Sequence, residues 1–238
     1  FPIAFLVKTP LVLLVGLLGL GWLGWKRPSS RAKLLYLLIP AVLYFGVSMA
    51  SNINIGYRHL LPIVPLIIVA VSGLPLAFSG GGNGRLALTL LLAGGMLLPT
   101  LWIHPHYLSF FNLAAGGPAN GASILADSSN DWGQDLLRLQ DWLAENGEES
   151  VRLGWFGIGD PAYYGMQYES LPGFPRAEFL SLWNNPPFNP EAPEPGLYAI
   201  SASSLWESHW EARHVYAWFR DREPTDRIGY SIYIYDLR

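Results

Sequence analysis

Four long apolar runs dominate residues 1–103, with short polar stretches between them. A helix needs about 20 mostly apolar residues, within a range of about 17–25, to cross the roughly 30 Å of hydrocarbon in a bilayer. Runs of this length without a single Asp or Glu predict transmembrane helices rather than buried helices of a soluble protein. The four predicted spans are Thr9–Trp25, Leu34–Ala50, Leu60–Phe78 and Leu86–Ile103.

Shorter and more varied patterns follow Ile103. Residues 131–146 place apolar side chains at helical intervals and stop before Gly147, which predicts an amphipathic helix. An aromatic-rich stretch at 206–220 predicts a second helix or a helical hairpin with aromatic anchors, and a proline-rich loop is expected at 188–196. Alternating residues, or β-branched and aromatic content, predict strands. The predicted strands are 150–158, 196–203 and 229–237.

Charge divides the chain into the same two parts. Residues 1–103 hold seven Lys and Arg and no acid, a formal charge of +7. The remainder holds eight Arg and all eighteen Asp and Glu, a charge of −10, which accounts for the net charge of −3. A basic apolar part joined to an acidic polar part predicts a membrane domain followed by a water-soluble one. The predicted fold is a multi-pass α-helical membrane domain at 1–103, followed by a small α/β extracytoplasmic domain at 104–238.

Positive charge also predicts the orientation of the spans. The loop 26–33 holds four basic residues, and the loop 79–85 adds Arg85. Because cytoplasmic loops carry an excess of Lys and Arg, these two loops are predicted to be cytoplasmic. The N-terminal end, the loop 51–59 and everything after the fourth span then face outward from the cell membrane. Phe1 already lies in an apolar run, so we expect the chain to be the C-terminal part of a longer protein.

A polar cluster of Tyr57, Arg58 and His59 precedes the third predicted span. The planar guanidinium of arginine matches phosphate oxygens, and histidine can add a hydrogen-bond donor or take up a proton. Tyr57 can donate to a phosphate or stack on a sugar. The alternative is structural, with Arg58 reaching the membrane interface and His59 capping the helix.

Lys8 lies at the outer end of the first predicted span. Thr9 and Pro10 follow it and make a favourable helix start, because proline is tolerated in a first turn. Alone, Lys8 is expected to anchor the helix at the interface. Together with Arg58 on the same side of the membrane, it could form a cationic pocket for an anionic leaving group.

A second polar cluster lies at 127–135. Asp127, Ser129 and Asp131 have the spacing of a calcium-binding loop, but Trp132 stands where that loop requires glycine. These residues are therefore expected to cap a helix, or to dock the soluble domain onto the membrane part. The chain has no cysteine, which excludes disulfides, zinc–thiolate sites and thiol nucleophiles.

Three stretches together resemble prokaryotic membrane glycosyltransferases of the family-39 type. They are FPIAFLVKTPL (1–11), NINIGYRHLLPIVPLI (52–67) and YLSFFNLAAGGPANGASILADSSNDWGQDLLRLQDWL (107–143). Such enzymes are related to the protein O-mannosyltransferases and to the aminoarabinose transferase that acts on lipid A, and they use polyprenyl-phosphate-linked sugars. The resemblance covers essentially the whole chain, but only the C-terminal part of such an enzyme.

The resemblance implies an inverting sugar transfer on the outer face of the membrane. An acidic residue deprotonates an acceptor hydroxyl, the hydroxyl attacks the anomeric carbon, and polyprenyl phosphate leaves while cations stabilise its developing charge. By the resemblance, Arg58 and His59, with Tyr57 beside them, bind the lipid phosphate, and Lys8 assists. The family's acidic base lies in the first outward loop. This chain has no acid before Asp127, so the base is expected upstream and no catalytic residue is assigned in the chain.

Two other functions remain open. One is a membrane-anchored glycan- or peptide-binding module without catalysis, since ten Trp and twelve Tyr suit sugar stacking. The other is an anionic-lipid transporter subunit that uses Arg58 and Lys8. The expected partners are the polyprenyl-phosphate-linked sugar donor, a lipid, protein or glycan acceptor, and the membrane, with no nucleic acid. No cofactor is assigned, and a divalent cation stays an open alternative.

Overall fold

The computed structural model describes residues 1–51, 56–77, 82–157, 159–172, 188–206 and 214–238. The chain forms two compact units, Phe1–Gly117 and Pro118–Arg238, which we name the helical unit and the sheet unit. The boundary lies beyond the predicted one at Ile103, because Asn112 bonds the following segment to Val7 of the first helix. The predictions made for 52–55, 78–81, 158 and 207–213 lie outside the described residues.

In the described residues of the helical unit, three stretches are long and apolar enough to cross a membrane: Arg31–Ala50, Gly56–Ala77 and Gly82–Ile103. They correspond to the second, third and fourth predicted spans. The first predicted span, Thr9–Trp25, falls on the second helix of a bent pair, Pro2–Lys8 and Leu11–Lys26. This pair qualifies as a fourth span only when both helices are taken together across a 113° bend. The helices are α1 (Pro2–Lys8), α2 (Leu11–Lys26), α3 (Pro28–Ala50), α4 (Val64–Ser72), α5 (Leu74–Ala77) and α6 (Gly82–Ile103), with a 3₁₀ helix at Gly56–Ile63.

Most large apolar side chains on these helices are exposed, as is typical of helix surfaces that face lipid. Glycines allow close approach where the helices meet. A Cβ atom at Gly16 of α2 would lie 2.6 Å from Cγ1 of Val71, and one at Gly95 of α6 would lie 2.7 Å from Cβ of Val12. Small residues at such contacts bring helix backbones together, which is how helices associate without a hydrophobic drive between them.

The sheet unit is built on a mixed five-stranded sheet of order β2-β1-β3-β5-β4. Strand β1 is parallel to β2 and β3, whereas β5 is antiparallel to β3 and β4. Three predicted strands are confirmed with shorter bounds, and two others, β2 and β4, were missed because three residues are too few to show alternation. The strands are β1 (Val151–Gly154), β2 (Tyr168–Ser170), β3 (Leu197–Ser201), β4 (Asp226–Ile228) and β5 (Ile232–Asp236).

Helices cover both faces of this sheet. On one face, Leu136, Leu139 and Leu143 share a core with apolar residues of β1, β3 and β5. On the other face, an aromatic core forms around Tyr216 and Phe219. The helices are α7 (Pro118–Ile124), α8 (Leu136–Glu145), α9 (Ala202–Leu205) and α10 (Ala217–Arg220).

The amphipathic helix predicted at 131–146 begins only at Leu136. Gly133 has a φ of +74°, which is incompatible with a helix at this point. The proline-rich segment from Phe188 to Gly196 lacks regular structure, as predicted.

Candidate functional site

Lys8 ends α1, at the break that separates this helix from α2. Thr9 adopts an extended conformation, and Pro10 then begins the new direction of the chain. Although lysine is seldom buried, Lys8 is only 7% exposed. Its Nζ donates to the carbonyl oxygen of Leu108 at 2.7 Å and lies 4.0 Å from the ring centroid of Phe111. The ammonium group is therefore held inside the unit rather than at its surface.

Asn112 holds this break in place, a role that no sequence pattern around it predicts. Its Nδ2 donates to the carbonyl oxygens of Leu6 at 2.6 Å and Thr9 at 2.9 Å. Its backbone N–H donates to the carbonyl oxygen of Val7 at 2.9 Å. Its Oδ1 accepts from the backbone N–H of Ala115 at 3.1 Å. Asn112 thus satisfies carbonyl groups that the end of α1 leaves without helical partners.

The second predicted group, Tyr57, Arg58 and His59, lies on the 3₁₀ helix that opens the candidate span Gly56–Ala77. The hydroxyl of Tyr57 lies 3.2 Å from Oγ1 of Thr9, and either group can be the donor. Tyr57 and the residue after Lys8 are therefore in contact, although 48 positions separate them.

His59 and Arg58 differ in environment. His59 is half-buried, and its ring centroid is 5.6 Å from that of the Phe1 ring. Among the described residues, no hydrogen-bond partner is found for Nδ1 of His59. Arg58 is exposed. The structure thus places a buried cation at the helix break, and an exposed cation and a half-buried imidazole on the 3₁₀ helix.

An apolar cavity of about 380 Å³ lies beside the helix break. The start of α2 forms one wall, with Pro10 and Leu11, and α6 forms another, with Trp102. Phe111 and Asn112 also line it, so the residues that hold Lys8 and the break also border the apolar space. Lys8, Thr9 and Tyr57 do not line this cavity, but Phe111, which Lys8 contacts, and Pro10, which follows Thr9, do. A lysine and a pair of hydroxyl groups adjoining an apolar cavity in this way have the chemistry to bind an anionic amphiphile.

The acidic cluster at 127–135 has a structural role in the sheet unit. Asp131 is fully buried and accepts from the backbone N–H groups of Gly133 at 3.0 Å and Ser203 at 3.1 Å. Because Ser203 lies in the first turn of α9, Asp131 caps this helix rather than α8, in front of which it stands in the sequence. Asp135 accepts from Oγ of Ser231 at 2.6 Å and pairs with Arg138 at 2.5 Å.

The calcium-loop spacing is not accompanied by a ligand cluster. Among the described residues, no group of three or more His, Asp or Glu is arranged to hold a metal ion. The two buried carboxylates accept hydrogen bonds from protein groups instead.

Burial raises the pKa of Asp131 to about 7. The hydrogen bonds from the N–H groups of Gly133 and Ser203 lower this pKa, whereas the negative charge of Asp135 raises it. Because the folded state holds this proton more tightly than the unfolded state, with its ordinary value of 3.8, protonation stabilises the fold. The contribution, at most about 4 kcal/mol, is fully present below about pH 4 and is lost as the pH rises to about 7.

We expect the amides of Gly133 and Ser203 to lose protection from hydrogen exchange between pH 5 and 8, measured relative to Asp131→Asn at each pH. Identical pH profiles for the chain and this variant would contradict the assignment.

Comparisons of the chain with family models, with curated proteins and with solved structures give no match. A functional proposal therefore depends on the residues and geometry of the chain itself.

Proposed function

We propose that the chain is the C-terminal part of an integral membrane glycosyltransferase. In this proposal, the enzyme moves a sugar from a polyprenyl-phosphate carrier to an acceptor hydroxyl on the outer face of the cell membrane, with inversion at the anomeric carbon. One observation carries the proposal: the buried lysine Lys8 and the Thr9–Tyr57 hydroxyl pair lie at the helix break, and two residues next to them, Phe111 and Pro10, line an apolar cavity. A polyprenyl phosphate combines an anionic head with a long apolar tail, and so needs both kinds of surface.

The cations act on the leaving group. When the bond between the anomeric carbon and the phosphate oxygen breaks, negative charge grows on the phosphate, and positioned donors lower the barrier by stabilising it. Arg58 provides a planar pair of donors and His59 a further one, while Lys8 supplies positive charge from the helix break. Tyr57 orients the head group. The helical unit has no Asp or Glu in its sequence, so its field favours anions throughout.

Orientation and the catalytic base are part of the same proposal. The basic loops at 26–33 and 79–85 are assigned to the cytoplasm by the positive-inside rule, which leaves the 3₁₀ helix and the sheet unit outside. No carboxylate precedes Asp127, and Asp131 and Asp135 are buried and bonded within the sheet unit. The base that activates the acceptor is therefore assigned to a segment outside this chain.

The test is binding of a polyprenyl monophosphate to the chain in detergent, measured by native mass spectrometry. We expect Arg58→Ala to weaken binding about tenfold to a hundredfold, because a hydrogen bond to a charged group is worth about 1.5–3 kcal/mol. Arg85→Ala is the matched control, since Arg85 is also an exposed arginine of the helical unit but lies in the first turn of α6, at the end of the helix predicted to be cytoplasmic. Its affinity should be unchanged.

The polyprenol without phosphate separates head-group binding from tail binding. It should bind Arg58→Ala and the unaltered chain equally, and more weakly than the phosphate binds the unaltered chain. Equal affinity of the unaltered chain for phosphate and alcohol would refute the anion site. In the full-length protein, Arg58→Ala should also lose sugar transfer from a polyprenyl-phosphate donor. Phosphate binding without any transfer would favour the lipid-transporter alternative.

A further inference from the structure

Exposed large apolar side chains are few in the described part of the sheet unit, and most of them surround one helix. Four of the five flank α8, whereas the fifth, Ile124, ends α7. We name these four the aromatic surface. They are Trp132 (47% exposed), Leu137 (52%), Tyr163 (82%) and Tyr164 (38%).

Contacts join α8 to the two tyrosines, whereas Trp132 lies four residues before α8 and packs on the end of β1. The ring of Trp132 is 6.1 Å from that of Phe156, in the segment that leaves β1. Leu137 lies in the first turn of α8, and Gln140 one turn later donates a hydrogen bond to the carbonyl oxygen of Tyr164. The rings of Tyr163 and Tyr164 are 5.2 Å apart.

The side chains are presented by fixed backbone rather than by a loose loop. The two tyrosines end a 3₁₀ helix at Pro161–Tyr164, which Asp160 caps by accepting from the N–H of Ala162 at 2.9 Å. Leu136 and Leu139 of α8 pack on the sheet, so helical geometry turns Leu137 outward.

An acidic group adjoins this surface, because Asp141, one turn after Leu137 on α8, is exposed. The only lysines of the chain are in the helical unit, and Arg138, beside Leu137, is paired with Asp135 at 2.5 Å. Tryptophan and tyrosine are enriched at the boundary between lipid head groups and hydrocarbon, and three of the four residues of the aromatic surface are of these two types.

Chain connection keeps the sheet unit close to a bilayer. The candidate span α6 ends at Ile103, and the segment after it is bonded back to α1 through Asn112. The sheet unit starts at Pro118, directly after Gly116 and Gly117. The sheet unit is therefore connected by a short segment to a helix long and apolar enough to cross a membrane.

We propose that the aromatic surface binds the interface of the lipid bilayer and thereby holds the sheet unit against the membrane. This goes beyond sugar transfer and does not depend on it, because the contact needs neither donor nor acceptor. The attraction comes from burial of apolar and aromatic area, so it is insensitive to salt. A charge-driven contact would weaken between about 0.1 and 1 M salt, where the screening length falls from about 10 to about 3 Å.

The absence of cysteine from the chain makes a site-specific test direct. Leu137→Cys and Tyr163→Cys are each labelled with an environment-sensitive fluorophore, and the whole chain is reconstituted in nanodiscs with or without head-group nitroxide lipids. Glu149→Cys is the matched control. It is also exposed, but it precedes β1, at the opposite end of the strand from Phe156. Unchanged thermal unfolding verifies that each labelled variant is folded.

The nitroxide lipids should quench the fluorophores at 137 and 163 and leave the one at 149 bright, equally at low and high salt. Equal emission with and without nitroxide at 137 and 163 would overturn the proposal, as would equal quenching at all three positions. A spectral change caused by a soluble oligosaccharide, with no quenching by lipid, would also overturn it and assign the surface to glycan binding. None of these readouts depends on sugar transfer, so this proposal and the proposed function fail separately.

Discussion

Gly229→Ala is expected to destabilise the sheet unit by about 3 kcal/mol or more. Gly229 turns β4 into β5 with a φ of +58°, and Tyr230 follows with +66°, as a tight hairpin with two left-handed residues requires. A methyl group at Gly229 would overlap the carboxylate of Asp135. That carboxylate cannot move freely, because it is fully buried and bonded to Ser231 and Arg138.

Gly147→Ala separates the steric effect from the conformational one. Gly147 has a φ of +69°, but no atom lies within 4 Å of its added Cβ, so the backbone penalty of about 1–2 kcal/mol acts alone. The measurement is urea unfolding of the chain in detergent, followed by hydrogen exchange in β3 and β5. Similar losses in the two variants would show that the contact with Asp135 is unimportant.

Asn112→Leu is expected to cost the helical unit about 3 kcal/mol and to release the break between α1 and α2. The leucine has a similar size, but it leaves the carbonyl oxygens of Leu6 and Thr9 without the amide that bonds them. An unsatisfied buried polar group costs about 1–3 kcal/mol. Once the break loosens, Lys8 is no longer held against Leu108 and Phe111, so affinity for a polyprenyl monophosphate should also fall.

Asn83→Leu provides the matched control for this variant. Asn83 is exposed in the first turn of α6, so its replacement should change stability by no more than about 0.5 kcal/mol. Thermal unfolding in detergent and hydrogen exchange across α1 and the start of α2 give the comparison. Unaltered exchange in Asn112→Leu would mean that the break is maintained without the amide.

The candidate site was only partly visible in the sequence. Lys8, Tyr57 and Arg58 were identifiable because basic and aromatic residues at the ends of apolar runs are conspicuous. Asn112 was not, since a lone amide in an apolar stretch has no periodic pattern around it. Its role depends on bonds to residues over 100 positions earlier, and no local property of the sequence reports such a separation.

The acidic cluster shows the same limit in the sheet unit. Its residue types predicted a helix cap, and Asp131 does cap a helix, but that helix is α9, 72 positions away. Sequence order suggested α8, which begins after the turn at Gly133. The type of interaction was predictable from chemistry, whereas the partner was decided by which segments the sheet brings together.

The sequence by itself determined the division into a basic apolar part and an acidic polar part, and three helices of membrane-spanning length. These features follow from composition summed over about twenty neighbouring residues, so they need no tertiary information. Only the tertiary structure decided the 113° bend, the burial of Lys8, the strand order and the clustering of exposed aromatics around α8. Each of these depends on contacts between distant segments, whose free energies are settled when the chain packs as a whole.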